Sequence, residues 1–201
     1  MPTQSSSRPP LFVAFALVLG LTVVMLEIDA IDYAYARIGI ESRWIFSLLA
    51  ASLIGSGINI PLTRLGGASP RTVLAVNLGG ALIPCGLSLY LLAQHAPLLP
   101  ALAAIVAVGL IVHRLARSVP GVGVTVPILV PPLVAALAGI AFAPAAAPSV
   151  AYIAGTFGTL IGADLTNLSG FAASGAPTAS IGGAGTFDSV FVTGILAVLL
   201  A

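Results

Sequence analysis

The sequence predicts an all-α fold: a polytopic integral membrane helix bundle of about seven transmembrane helices, forming one domain over residues 1–201. Three observations carry that expectation. Hydrophobic residues are 59% of the 201 and charged residues only 6%, against about 25% charged in a soluble globular domain. Seven stretches come near the roughly 20 apolar residues that a helix needs to cross a bilayer. The arginines also sort by side under a simple up-and-down threading, as short cytoplasmic loops require.

In chain order the expected spans are 11–28, 44–62, 72–93, 97–113, 124–143, 149–168 and 181–201. The first opens on "LFVAFALVLGLTVVML" after Arg8, with "AYA" at 34–36 in the manner of a cleavage site. Glu27, Asp29 and Asp32 intervene, so the run reads as an uncleaved span rather than a signal peptide. Residues 1–10 read as a disordered cytoplasmic terminus, 27–43 as a charged external loop and 44–201 as the core bundle. Tyr33, Tyr35 and Trp44 suit a membrane–water interface around that loop. The fourth stretch, 97–113, is short, and reads as a tilted or partly inserted segment.

Arg8, Arg64, Arg71, Arg114 and Arg117 fall on one side of this threading, and Arg37 and Arg43 on the other. The expectation is therefore a multi-pass protein of the cell membrane, N-terminus cytoplasmic and C-terminus external. Without a basic tract, nucleic acid is not an expected partner. Cys85 stands alone, which excludes an internal disulfide and fits a small core hydrophobe. No motif calls for a metal or a cofactor. The expected partners are the lipid bilayer itself and either a transmembrane peptide or a small ion or solute.

The chain has 22 glycines and 15 prolines, many of them inside apolar runs. Lipid cannot hydrogen-bond a freed backbone group, so a broken helix must be buried in protein or line a cavity. Three breaks stand out: "GSGINIPLTR" at 55–64, "NLGGALIPCG" at 77–86 and "VPGVGVTVPILVPP" at 119–132. "GINIP" and "GVTVP" share a pattern that hints at an internal repeat, as in many transporters; the plainer reading is close helix packing through small residues. Asn59, Asn77, Thr125 and Asn167 are polar groups in or beside such breaks, candidates for substrate or ion binding and equally for interhelical glue.

Outside the 27–43 segment the chain has two acids, Asp164 and Asp188. The first sits near the end of the sixth expected span and the second about seven residues into the seventh, so both lie on the order of 6–10 Å from one mouth of the bundle. After Arg117 the sequence has no Lys, Arg or His. A charge at mid-bilayer costs at least ~2.5–3.5 kcal/mol on insertion scales. A cation from an earlier helix (His113, Arg114 or Arg117), a bound ion, or a proton shared between the acids would offset it. The plain structural reading is that each Asp caps a helix.

"NLGGALIP", "PGVGVTVPILVPPL", "AGTFGTLIGADLTNL" and "SIGGAGTFDSVFVTGILAVLLA" resemble the hallmark runs of a prokaryotic membrane family, the domain of unknown function 1614, over roughly residues 45–201. That likeness implies a membrane protein and no particular activity. In arrangement the chain is also similar to the presenilin and signal-peptide-peptidase class of intramembrane aspartyl proteases. There, one Asp lies on the sixth span and the other on the seventh, within Gly-x-Gly-Asp. Asp164 and Asp188 match those spans, and "GAGTFDSVF" is similar to the second motif. Thr186 and Phe187 separate Gly185 from Asp188, no Tyr precedes Asp164, and no span remains for the class's Pro-Ala-Leu motif. The resemblance implies Asp164 and Asp188 as a catalytic pair, with the Gly182–Gly185 region, Gly183 and Gly185 included, holding an extended substrate backbone. Three readings stay open: an aspartyl hydrolase, a proton-coupled ion or solute transporter using the same acids, and a non-catalytic accessory membrane protein.

Overall fold

The computed structural model describes residues 28–65, 72–94, 96–119, 123–173, 177–183 and 189–201. The first expected span lies almost wholly outside these residues. The expected loop at 27–43 contains a helix, α1 (Ile28–Arg37), which meets α2 (Ser42–Ser56) at a 110° bend. Gly39, at φ 80°, makes that bend: its N–H donates to the Ala36 carbonyl while Ile40 N–H donates to Tyr35. This double closure with a left-handed residue is the standard way a helix ends at glycine.

Between α2 and α3 the chain is extended, not helical. Strands β1 (Asn59–Leu65) and β2 (Thr72–Asn77) pair antiparallel, with Asn59 opposite Asn77. Much later β5 (Thr178–Ile181) adds parallel to β2, giving a sheet in the order β1-β2-β5. A second pair, β3 (Arg117–Val119) and β4 (Gly123–Thr125), forms a small antiparallel ribbon. The all-α expectation is therefore corrected: the protein is mostly helical with two small sheets. Four of the expected spans, 44–62, 72–93, 124–143 and 181–201, hold a strand at one end and a shorter helix. Their β-branched residues, broken by Gly, Asn and Pro, favour strands, and pairing satisfies backbone that would otherwise be bare.

The helices that follow are α3 (Ile83–Gln94), α4 (Leu98–Leu115), α5 (Val130–Phe142), α6 (Ala147–Thr159), α7 (Leu168–Ala173) and α8 (Ser189–Leu200). A π turn, Leu78–Leu82, leads into α3, and another, Leu160–Asp164, extends α6. Segment 97–113 was expected to be the weakest span; it forms α4, an unbroken helix of 18 residues. Among the described residues two helices, Leu98–Leu115 and Pro144–Phe171, are long and apolar enough to cross a membrane, or three if the bent α1–α2 pair counts as one span. That is consistent with a membrane protein. Many large apolar side chains are exposed, among them Phe46, Leu99 and Ile54, as expected where lipid is the solvent.

Helix α6 is the axis of the bundle. Within Pro144–Phe171, 72% of the most apolar stretch is buried, against 28% for α4. Lipid gives no hydrophobic drive for helices to associate, so close packing must do the work. On α6, Gly158 lies against Val108 and Gly162 against the Gly109 backbone, seating α4. Gly155 faces Ala135 of α5 and Thr193 and Ala197 of α8.

A methyl group on Gly162 would stand 2.4 Å from the Gly109 carbonyl oxygen, whereas one on Gly86 would meet nothing within 4 Å. Gly162→Ala is therefore expected to cost about 1–3 kcal/mol through overpacking, and Gly86→Ala to be neutral or mildly stabilising. Thermal unfolding of the two variants in detergent, compared with the parent chain, checks both.

Candidate functional site

The two π turns face a common region beside the three-stranded sheet. Asn77, the last residue of β2, is 1% exposed, so each of its amide groups needs a partner. Its Oδ1 accepts from Gly80 N–H at 2.7 Å, capping the first π turn. Its Nδ2 donates to the Ser56 carbonyl at 2.7 Å and to Asn59 Oδ1 at 3.0 Å. The same Asn59 oxygen accepts from Ser180 Oγ at 2.5 Å. Ser52 Oγ donates to the Gly79 carbonyl at 2.7 Å. The set forms a polar clasp tying the end of α2, all three strands and the start of α3.

From the clasp the contacts run to the acid. A Cβ on Gly80 would stand 1.9 Å from the Gly182 carbonyl oxygen, and Gly182 itself has φ +79°. Only glycine fits both positions. Gly182 N–H then donates to Asp164 Oδ2 at 2.8 Å. Asp164, half-buried at the end of the second π turn, is thus anchored on the loop that leaves β5. An ionised carboxylate accepting from a backbone amide forms a strong, charge-assisted bond. Gly183 continues that loop at φ 90°, its N–H donating to the Ser180 carbonyl.

A family model matches residues 52–200, which takes in the clasp, both π turns and both acids. The chain belongs to the family described as Protein of unknown function (DUF1614). No curated protein matches it, and no solved structure does. In this DUF1614 chain the polar groups singled out from sequence therefore have to be judged by their surroundings.

Asn59, Asn77, Asp164 and Gly183 come together around Gly182. Asp188 and Gly185 lie outside the described residues, Asp188 six positions along the chain from Gly182. Thr125 does not join the clasp: it is exposed on β4, opposite Arg117, with its hydroxyl on the Arg117 carbonyl at 3.3 Å. The carbonyls that a π turn displaces need other donors, and Asn167 supplies one, its Nδ2 bonding Gly162 O at 2.8 Å. Thr166 Oγ1 shares that carbonyl at 2.9 Å and lies 2.8 Å from His113 Nδ1. His113, one of the cations considered for the acids, is thus engaged with Thr166.

Sequence reasoning missed Ser52, Ser56 and Ser180, whereas Gly182 stood in the glycine run taken for substrate. Among the described residues no three His, Cys, Asp or Glu side chains gather as metal ligands.

Removing the Asn77 side chain leaves Gly80 N–H, the Ser56 carbonyl and Asn59 Oδ1 each short of a bond. With about 1–3 kcal/mol for an unsatisfied buried group, Asn77→Ala is expected to destabilise the fold by roughly 2–4 kcal/mol. Thr125→Ala, outside the clasp, should leave stability nearly unchanged. Parallel melting curves in one detergent distinguish them.

Proposed function

We propose that this DUF1614 protein is a multi-pass protein of the cell membrane, N-terminus cytoplasmic and C-terminus external, whose Asp164 and Asp188 form an aspartyl hydrolase site. Its substrate class is an extended peptide segment entering from the bilayer. The observation that carries this reading is the bond from Gly182 N–H to Asp164 Oδ2. It holds the acid of one helix on the very loop that leads to the other acid. Beside it, β5 pairs with β2 on one edge and ends the sheet order among the described strands. A substrate backbone would add along the other edge, in the way extended peptides join sheets.

In this mechanism one carboxylate is ionised and the other protonated, since two acids sharing a poorly solvated site do not both ionise. The ionised group takes a proton from water as its oxygen attacks the scissile carbonyl. The protonated group gives its proton to the carbonyl oxygen, forming a tetrahedral diol. As the C–N bond breaks, the proton held by the base passes to the leaving amine. A diol hydroxyl returns its proton to the other carboxylate as the new carbonyl forms, restoring both acids. The clasp and the left-handed Gly182 and Gly183 fix where the loop leaves β5, so the Asp164 carboxylate meets the substrate with little reorganisation.

A proton-coupled transport reading draws support from Asn59 of "GINIP" standing in the clasp, two contacts from Asp164. It gains nothing from Thr125 of "GVTVP", which bonds its own ribbon.

In proteoliposomes carrying a helical reporter peptide, Asp164→Asn and Asp188→Asn are each expected to slow cleavage at least ~10²-fold, the lower end of acid–base contributions. Their melting temperatures should stay within a few degrees of the parent's. Cleavage unchanged in both variants would refute the hydrolase, and solute flux lost in both would select transport. Neither effect would leave an accessory role.

A further inference from the structure

Four buried hydroxyl groups lie in the bundle without a backbone carbonyl to bond: Ser88, Thr159 and Thr193, and Thr156, which has only the Tyr152 hydroxyl beside it. Each is at most 1% exposed. Unpaired buried hydroxyls are uncommon, and helical Ser and Thr ordinarily turn back to a carbonyl of their own helix. These four do not.

Their placement is ordered. From Ser149 to Asp164 the polar side chains of the sixth helical segment are Ser149, Tyr152, Thr156, Thr159 and Asp164. The first four follow steps of three, four and three, the spacing of a single helix face. Asp164 comes five residues after Thr159, which in a plain α-helix would swing it off that face. The π turn Leu160–Asp164 takes up one extra residue, so the step acts as four and Asp164 rejoins the row. All the polar groups of this stretch therefore share one stripe, about 22 Å long at 1.5 Å per residue.

Other helices close over the stripe. On α8, the Thr193 methyl lies on Gly155, and Gly194 lies under the Tyr152 ring, where an added Cβ would be 2.7 Å from Cε2. Ser88 is fully buried on α3, which packs on both α6 and α8. At one end stands Asp164. At the other, Ser149 and Arg37 line an open cleft of about 510 Å³ bounded by Gly39 and Pro144. Tyr35 flanks Tyr152 beside Ile195 and Val198.

We propose that this stripe is a proton path through the bundle, a file of internal waters held by the Thr156, Thr159, Thr193 and Ser88 hydroxyls between Asp164 and the Arg37–Ser149 cleft. Residues three and four apart on a helix stand about 5–6 Å from each other, about two hydrogen-bond lengths. One water between successive hydroxyls completes the file and gives each water the two or more polar partners it needs. A proton arriving on the Asp164 carboxylate passes to the first water. Each hydroxyl or water then accepts one proton and releases its own, and the last leaves to water in the cleft. Nothing is oxidised or reduced, and every group ends as it began. The path is independent of peptide hydrolysis, since it needs Asp164 only as a proton acceptor.

The test is proton uptake into proteoliposomes loaded with a pH-sensitive dye and driven by a potassium diffusion potential. The parent chain is expected to exceed protein-free vesicles. Thr156→Val and Thr193→Val keep the side-chain shape and remove the hydroxyl, and each should cut the rate at least tenfold. Thr156→Ser, which keeps the hydroxyl, should conduct, as should Thr63→Val on the exposed strand β1. Melting temperatures of the valine variants should stay within a few degrees of the parent's, because the side-chain shape is kept and only hydrogen bonds to internal water are lost. Parent flux no greater than that of empty vesicles would overturn the proposal, and so would valine variants that conduct like the parent. Valine variants that lose stability, with flux tracking the folded fraction, would overturn it as well. Reporter cleavage in the same vesicles separates this result from the hydrolase question, because the valine variants keep both acids.

Discussion

The contact on which the rest of the site depends is the approach of two backbones, Gly80 to Gly182. With a methyl group on either residue the strand β2, the π turn after it and the loop leaving β5 could not meet. Because they do meet, Gly182 presents its N–H to Asp164. The Asn77 amide holds the other side by gripping Gly80, Ser56 and Asn59 at once. A steric allowance of one missing Cβ thus fixes the position of a carboxylate two elements away. The clasp is costly to break because its groups are buried and mutually satisfied.

Around that site the helices follow a different logic. Small residues on α6 let α4, α5 and α8 approach its backbone, while many bulky side chains, Phe46, Leu99 and Leu137 among them, face outward. This reverses the pattern of a soluble core, where the large apolar residues are inside, and it is what a bundle solvated by lipid requires. Among the described residues most of the buried polar side chains lie in two places, the clasp beside the sheet and the stripe along α6 with its neighbours. Asp164 belongs to both.

Much of this was legible in the sequence, for identifiable reasons. Asn59, Asn77 and Asp164 stood out because an amide or acid in an apolar chain needs a partner wherever it sits. The strands were not legible, because a short apolar run carries no periodicity that separates a strand from a buried helix. The serines of the clasp were silent, since a serine among glycines looks the same as glue or as ligand. Thr125 was chosen on a five-residue match to "GINIP", yet the two copies fold differently, one into a sheet edge beside the clasp and the other into a separate ribbon. The π turns were beyond reach altogether. They shift the register by one residue, and only the hydrogen-bond pattern reveals it.

The outer strand β1 has a bearing on how copies of the chain behave in a crowded bilayer. Among the described strands it is one of the two edges of the sheet, with Pro61 in its middle and a break in register between Pro61 and Thr63. Proline is tolerated on such a strand because its missing N–H faces away from the ladder, and the irregularity bends the edge. A neighbouring molecule that tried to extend the sheet would find one donor absent, the pitch broken and the exposed Arg64 in the way. Copies pressed together by the membrane would therefore not join through β1, and the β5 edge beside Asp164 is left as the side where a strand can add.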